Sequence, residues 1–240
     1  AKWLYPENVQ DVDNSNLVNG KPTYYWINKQ DMTVPSDAGW VALVDCSRIK
    51  VENLNFAFGQ EILLVQTTDS TVSKNTLSND DLCIGLYQSE DNLIMENSLT
   101  KSYCGIQLHE SNNNQIKQNM IANCTQGVYL DSSSGNQIQE NNCTYNDQGI
   151  KLYVSDDNLL ERNFMSKNEQ GIHLTGLSVH DANITTLYCS TNNRIIDNDI
   201  ANNEYGIYVS KGEKNKISLN HFTDNTNQAK IEPIDIEQSE

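Results

Sequence analysis

The sequence predicts an all-β fold, a single-stranded parallel β-helix (solenoid) of 22-residue coils with an aromatic N-terminal cap. Three observations carry this. Gly-Ile-x-Leu segments place Ile84, Ile106, Val128, Ile150 and Ile172 at intervals of 22, each followed two residues later by a Leu, from Leu86 to Leu174. Two more apolar columns keep that interval: Val72, Ile94, Ile116, Ile138 and Leu160, and Leu77, Leu99, Ile121, Cys143 and Met165. Between them run columns of Asn such as Asn92, Asn114, Asn136 and Asn158, drawn from 33 Asn in 240 residues.

Apolar residues two apart share one face of a strand, and no segment carries the i, i+3, i+4, i+7 stripe of a helix. One coil cannot bury its own apolar side, but coils stacked about 4.8 Å apart bury a continuous column. Each Asn then sits over an Asn and can bond it side chain to side chain. Asn also tolerates the left-handed backbone of corners. This assigns the Asn columns to the scaffold rather than to catalysis.

The elements follow in order. Residues 1–41 lack the period and concentrate Trp3, Tyr5, Tyr24, Tyr25, Trp26 and Trp40, as expected of a cap over an exposed strand edge. Residues 42–226 form the β-helix, in coils at about 42–68, 69–91, 92–113, 114–135, 136–157, 158–192 and 193–214, then a partial coil. The interval lengthens once, to 35 between Asn158 and Asn193, which places a 13-residue insertion within about 176–192. Gly105, Gly127, Gly149, Gly171 and Gly206 precede the first strand, implying either positive φ or close approach of neighbouring coils. Residues 227–240 read as an acidic tail.

Composition excludes several functions. A net charge of −16 argues against nucleic-acid binding through a basic surface. No apolar run approaches the roughly 18 residues of a membrane-spanning helix. No CxxC pair, EF-hand or RTX-type repeat occurs. The sequons at Asn123, Asn142 and Asn183 are compatible with export and glycosylation, and Ala1 is the start expected of a mature chain after signal cleavage.

The outward positions of the first strand hold most candidate side chains. Gln107, Tyr129, Lys151, His173 and Tyr208 stand between the Ile and Leu columns; Tyr87, His109, Asp131, Tyr153, Thr175 and Ser210 stand just after the Leu column. Tyr87, Tyr129, Tyr153 and Tyr208 make a possible glycan or partner face, since aromatic rings stack on sugars and on proteins. His109 and Asp131 are one coil apart and close enough to pair, as surface groups. No second carboxylate joins them, so no catalytic set is found and the chain is not expected to be an enzyme. His109, His173 and His180 are weak metal candidates, not paired at ligand spacing. No cofactor is expected, though a metal ion is possible. Cys83, Cys104 and Cys124, separated by 21 and 20, fall near one corner of successive coils within possible disulfide reach. Cys46, and Cys189 in the insertion, complete the candidates for disulfide or intersubunit bonds.

The stretch Asn19-Gly20-Lys21-Pro22-Thr23-Tyr24-Tyr25-Trp26, then Thr33-Val34-Pro35, Ala38-Gly39 and Val44-Asp45-Cys46, resembles the opening segment of NosD-like β-helix proteins, in particular secreted archaeal surface proteins of that family. The Asn-x-Ile-x-x-Asn and Gly-Ile-x-Leu repeats resemble the same family and the wider carbohydrate-binding and sugar-hydrolase (CASH) β-helices, over about residues 10–226. The resemblance implies a right-handed helix outside the cytoplasm, in agreement with the crossover rule. Founding members assist copper-site maturation in nitrous oxide reductase, and many others are cell-surface proteins.

The expectation at this point is an extracellular or cell-surface structural protein that self-associates into an envelope layer, sheath or filament. The alternatives are a glycan-binding or glycan-processing β-helix and a NosD-like copper-site maturation factor. Fold alone does not choose among them.

Overall fold

The computed structural model describes residues 10–181 and 184–233. Trp3, Tyr5, Asn183 and the end of the acidic tail lie outside the described residues. Among those described there are strands and no helix.

One coil explains the rest. The chain runs along Cys104–His109, turns into Gln115–Lys117, turns again into Met120–Ala122, and returns at Gln126–Asp131 one layer on. Every strand pairs in parallel with its equivalent in the next coil: Ile106 with Val128, Leu108 with Leu130, Ile116 with Ile138, and Ile121 with Cys143. The result is a right-handed β-helix with three walls, one sheet of 11 strands and two of 8. The three apolar columns point inward, and Ile106, Leu108, Ile116 and Ile121 are 0% exposed. Burying each such side chain is worth about 1.5–3 kcal/mol, and repeating it in every coil builds the core.

The Asn columns are buried too. The N–H and Nδ2 of Asn114 both donate to Oδ1 of Asn136, at 2.8 and 3.2 Å, while Nδ2 also reaches the carbonyl of Ser89 at 2.9 Å. Asn97, Asn119, Asn141 and Asn163 repeat this along the next corner. A third column, Asn146, Asn168, Asn203 and Asn225, lies at the last corner. The ladder Asn are therefore bonding residues more than left-handed ones. Left-handed φ falls instead on their neighbours of many types, such as Gln118 (56°), Glu140 (56°) and Arg162 (52°). Each such residue costs about 1–2 kcal/mol, which the adjacent Asn bonds offset.

The recurring glycines serve close approach. A Cβ on Gly105 would meet the carbonyl oxygen of Gly127 at 2.7 Å, and Gly105 itself is not at positive φ. At the N-terminal end, Lys21–Ile27 lies parallel to Trp40–Val44, and Leu17–Val18 folds back antiparallel on its outer edge. Tyr25 stacks on Trp40 with centroids 6.5 Å apart. The insertion is an antiparallel hairpin, Leu177–Asp181 with Ile184–Tyr188. At the far end, Asn227–Ile231 adds one more parallel strand beside Tyr205–Val209, within the segment read as a tail.

Candidate functional site

The outer face of the 11-stranded sheet gathers the predicted residues into two columns. Gln107, Tyr129, Lys151, His173 and Tyr208 are in register, as are Tyr87, His109, Asp131, Tyr153 and Thr175. His109 Nδ1 lies 3.0 Å from Asp131 Oδ2, so the pair expected from the spacing forms. Lys151 Nζ sits 5.3 Å over the Tyr129 ring. Burial lowers the Lys151 pKa and raises that of Tyr129. Tyr208 stacks on His173 at 4.8 Å, and Tyr87 lies 6.2 Å from the His109 ring. The four tyrosines stand on one wall, where the rings of Tyr87, Tyr129 and Tyr208 are engaged by His109, Lys151 and His173.

The histidines do not converge. His173 is buried, with Nδ1 3.2 Å from Gln148 Nε2 and Nε2 3.2 Å from Ser210 Oγ. Burial, with the Lys151 charge second, pushes its pKa down to about 4. His180 lies in the insertion hairpin, and its side chain is outside the described set. The sequon residues Asn123 and Asn142 are exposed.

All six cysteines are thiols. Cys46, Cys83, Cys104 and Cys124 are at most 3% exposed, so none of the four offers its sulfur to another subunit. The expected disulfide column does not form because spacings of 21 and 20 miss the coil length. Cys83 occupies the slot before Ile84 that Gly105 holds before Ile106; Cys104 is in register with Gln126; Cys124 donates its N–H to Asn146 Oδ1 and so heads an Asn column. Burial pushes the Cys83 and Cys143 thiols up to about 12 and Cys104 well up, which makes them inert. Cys189, in the insertion, is partly exposed.

The structure adds a site that the sequence reading missed. A cleft of about 300 Å³ opens where the wide sheet meets the last corner of the early coils, lined by Glu61, Leu63, Asp81, Leu82, Tyr87, Tyr103, Cys104 and Gln107. Glu61 Oε1 accepts a hydrogen bond from Trp40 Nε1 at 3.4 Å, which ties the cap to the site. Burial raises the Glu61 pKa, and the charges of Asp80 and Asp81 add to the push. Asp80 Oδ1 takes the N–H groups of Gly59 and Gln60, while its buried Oδ2 has no partner among the described residues. Burial raises its pKa as well. Asp81 and Tyr103 are exposed at the rim. The signal was present: Glu61 stands in register with Cys83, a slot that is Gly in the next coils, so a carboxylate breaks that column.

These features define a right-handed parallel β-helix with an acidic cleft and aromatic side chains on one wall. The chain belongs to the NosD family: the family model described as periplasmic copper-binding protein (NosD) matches residues 46–186 and 179–239. No curated protein matches the sequence. Among solved structures, a DFA-IIIase from Arthrobacter chlorophenolicus A6 without its lid is similar at 13% identity and TM-score 0.67, covering 80% of this chain and 52% of that one. A hyperthermoactive exopolygalacturonase from Thermotoga maritima is similar at 12% identity and TM-score 0.59, over 79% and 51%. The periplasmic alginate epimerase AlgG is similar at 12% identity and TM-score 0.53, over 82% and 52%. The chain thus spans about half the length of these structures.

These likenesses correct one expectation. The expectation of a non-enzymatic chain runs against its likenesses, since the solved structures that share its fold are enzymes. At such identities the likeness establishes the fold, and it gives no support to an envelope layer or sheath. No helix among the described residues is long and apolar enough to cross a membrane.

The family description also raises copper. Among the described residues, no three His, Cys, Asp or Glu side chains converge on one point. His109 is held by Asp131, His173 by Gln148 and Ser210, and His221 lies 3.5 Å from Asp199. The buried thiols resist the deprotonation that thiolate ligation needs. These residues do not fit a copper centre.

Proposed function

We propose that this chain binds and processes glycans outside the cytoplasm, with the Glu61–Asp81 cleft as its reactive centre and the tyrosine-bearing wall as its platform. The carrying observation is a half-buried carboxyl with a raised pKa, set beside a second, exposed carboxyl and aromatic rings in one cleft. Glycoside hydrolysis needs this division of labour between two carboxyls. Burial favours the protonated form of Glu61, the form that donates a proton to the leaving glycosidic oxygen. Asp81 supports the developing positive charge and activates water or attacks the anomeric carbon. Tyr87 and Tyr103 offer faces for sugar rings. The periplasmic description of the family and the enzymatic, glycan-directed names of its structural neighbours support the reading.

The test is release of reducing ends from a polysaccharide panel. Wild type is expected to cleave at least one polymer; Glu61→Gln should lower turnover at least about 100-fold while binding persists, since removing a general acid costs roughly 10²–10⁴. Equal turnover in Glu61→Gln would remove Glu61 from the reaction.

A further inference from the structure

Resting on the glycan reading, we infer that a second hollow beside the cleft is a sugar-binding subsite, so that the bound glycan runs along the helix axis from the cleft to Tyr145. The hollow, of about 620 Å³, lies at the last corner, and Tyr103, Asn123, Thr125, Tyr145 and Asp147 are among the residues that line it. Tyr103 also lines the cleft, so the two share a wall. Short side chains account for the dip: the coil carrying Asn123, Cys124 and Thr125 lies between Tyr103 in the coil before and Tyr145 in the coil after.

The two tyrosines are not explained by the fold. Both are more than half exposed, Tyr103 at 59% and Tyr145 at 54%, so neither ring serves the core. Tyr145 also holds φ 58°, in a column where Asn123 (57°) and Asn202 (57°) stand in neighbouring coils. A left-handed backbone suits Asn and is costly for a bulky residue. Neither burial nor backbone preference accounts for a ring at this position; a ligand that stacks on it does. Lys167 Nζ donates to the Tyr145 hydroxyl at 2.7 Å and holds the ring from the following coil. Between the rings, the amide of Asn123, the hydroxyl of Thr125 and the carboxyl of Asp147 supply the donors and acceptors that sugar hydroxyls need. Aromatic faces with a polar fringe fit a pyranose better than an apolar peptide side chain.

The length of the ligand follows from register. Asp81, Tyr103, Thr125 and Asp147 each precede one residue of the registered series Leu82, Cys104, Gln126 and Gln148. Three steps of about 4.8 Å put the far rim of the hollow about 14 Å from Asp81. A sugar ring spans roughly one such step, so a chain of about four sugars reaches from the cleft to Tyr145.

The experiment uses the whole chain, produced without glycosylation at Asn123, and titrates it by calorimetry with oligosaccharides of two to six sugars from cellulose, chitin, xylan and alginate. In at least one series, affinity should rise to about four sugars and then level off. Tyr145→Ala should weaken the tetrasaccharide about three- to tenfold, the worth of one stacked ring, and flatten that rise. Tyr145→Phe, which keeps the ring, should stay close to wild type. An affinity already level at two sugars, a Tyr145→Ala chain with the wild-type length dependence, or Tyr145→Phe as weak as Tyr145→Ala would overturn the subsite and leave the glycan reading standing. Binding of none of the four series by wild type would remove both.

Discussion

Replacing Asn119 with Ala removes one rung of a buried ladder. Oδ1 of Asn119 receives the N–H of Asn97 at 3.0 Å and its Nδ2 at 2.9 Å. Its own Nδ2 donates to the carbonyls of Ile94 (3.0 Å) and Lys117 (3.1 Å) and to Asn141 Oδ1 (2.9 Å). All five bonds go, and the buried N–H of Asn97 loses the partner described for it. A net hydrogen bond is worth about 1 kcal/mol and an orphaned buried donor costs about 1–3 kcal/mol. Because some partners retain other bonds, the expected loss is about 3–5 kcal/mol. That is a large share of a total stability of about 5–15 kcal/mol. Urea unfolding followed by circular dichroism measures it. Asn142→Ala is the control, because Asn142 is exposed and its change should stay within about 0.5 kcal/mol. Equal stabilities for the two variants would refute the view that the Asn columns hold the coils together.

Other consequences can be checked. Glu61 has a raised pKa, so the folded state is disfavoured as pH rises through its folded value; Glu61→Gln should match wild type below the ordinary value of 4.5 and exceed it in stability at pH 7. A variant no more stable at neutral pH would contradict the burial argument. His173, held down to about 4, stabilises the fold above the ordinary value of 6.5, and that contribution is lost as pH falls through about 4. An NMR titration placing the His173 midpoint near 6.5 would remove it. Titration with copper followed by gel filtration should leave less than one equivalent bound; a retained equivalent abolished in His109→Ala/His173→Ala would restore those histidines as ligands.

Much of the fold was legible because a stacked solenoid writes its register directly into the sequence. Ile106, Val128 and Ile150 are equivalent in spacing and in space. The Asn columns were legible as ladders, although the third one was hidden: Ser102 and Cys124 hold its early slots, and Asn appears only from Asn146. The cleft was harder to read for a different reason. Glu61 keeps the interval, 22 residues before Cys83, but Cys83 already replaces the Gly of the later coils, so the column is broken before it reaches the carboxylate. Asp80 likewise stands 22 residues before Ser102, ahead of the first Asn of its column. The cysteines misled in the opposite direction. Near-coil spacing suggested a shared corner, but an offset of one or two residues puts each thiol in a different slot.

The Asn ladder also has a direction. Each rung's N–H and Nδ2 reach forward to Oδ1 of the following coil, as Asn92 does to Asn114 and Asn114 to Asn136. A coil therefore finishes its own bonding only when its successor is in place. On a chain emerging N-terminus first, consolidation must trail synthesis by at least one full turn, and a growing helix always carries one unsatisfied front. Asn225 meets that condition at the last coil by bonding Gln228 Oε1 at 2.9 Å, a local stopper where a further rung would otherwise be required.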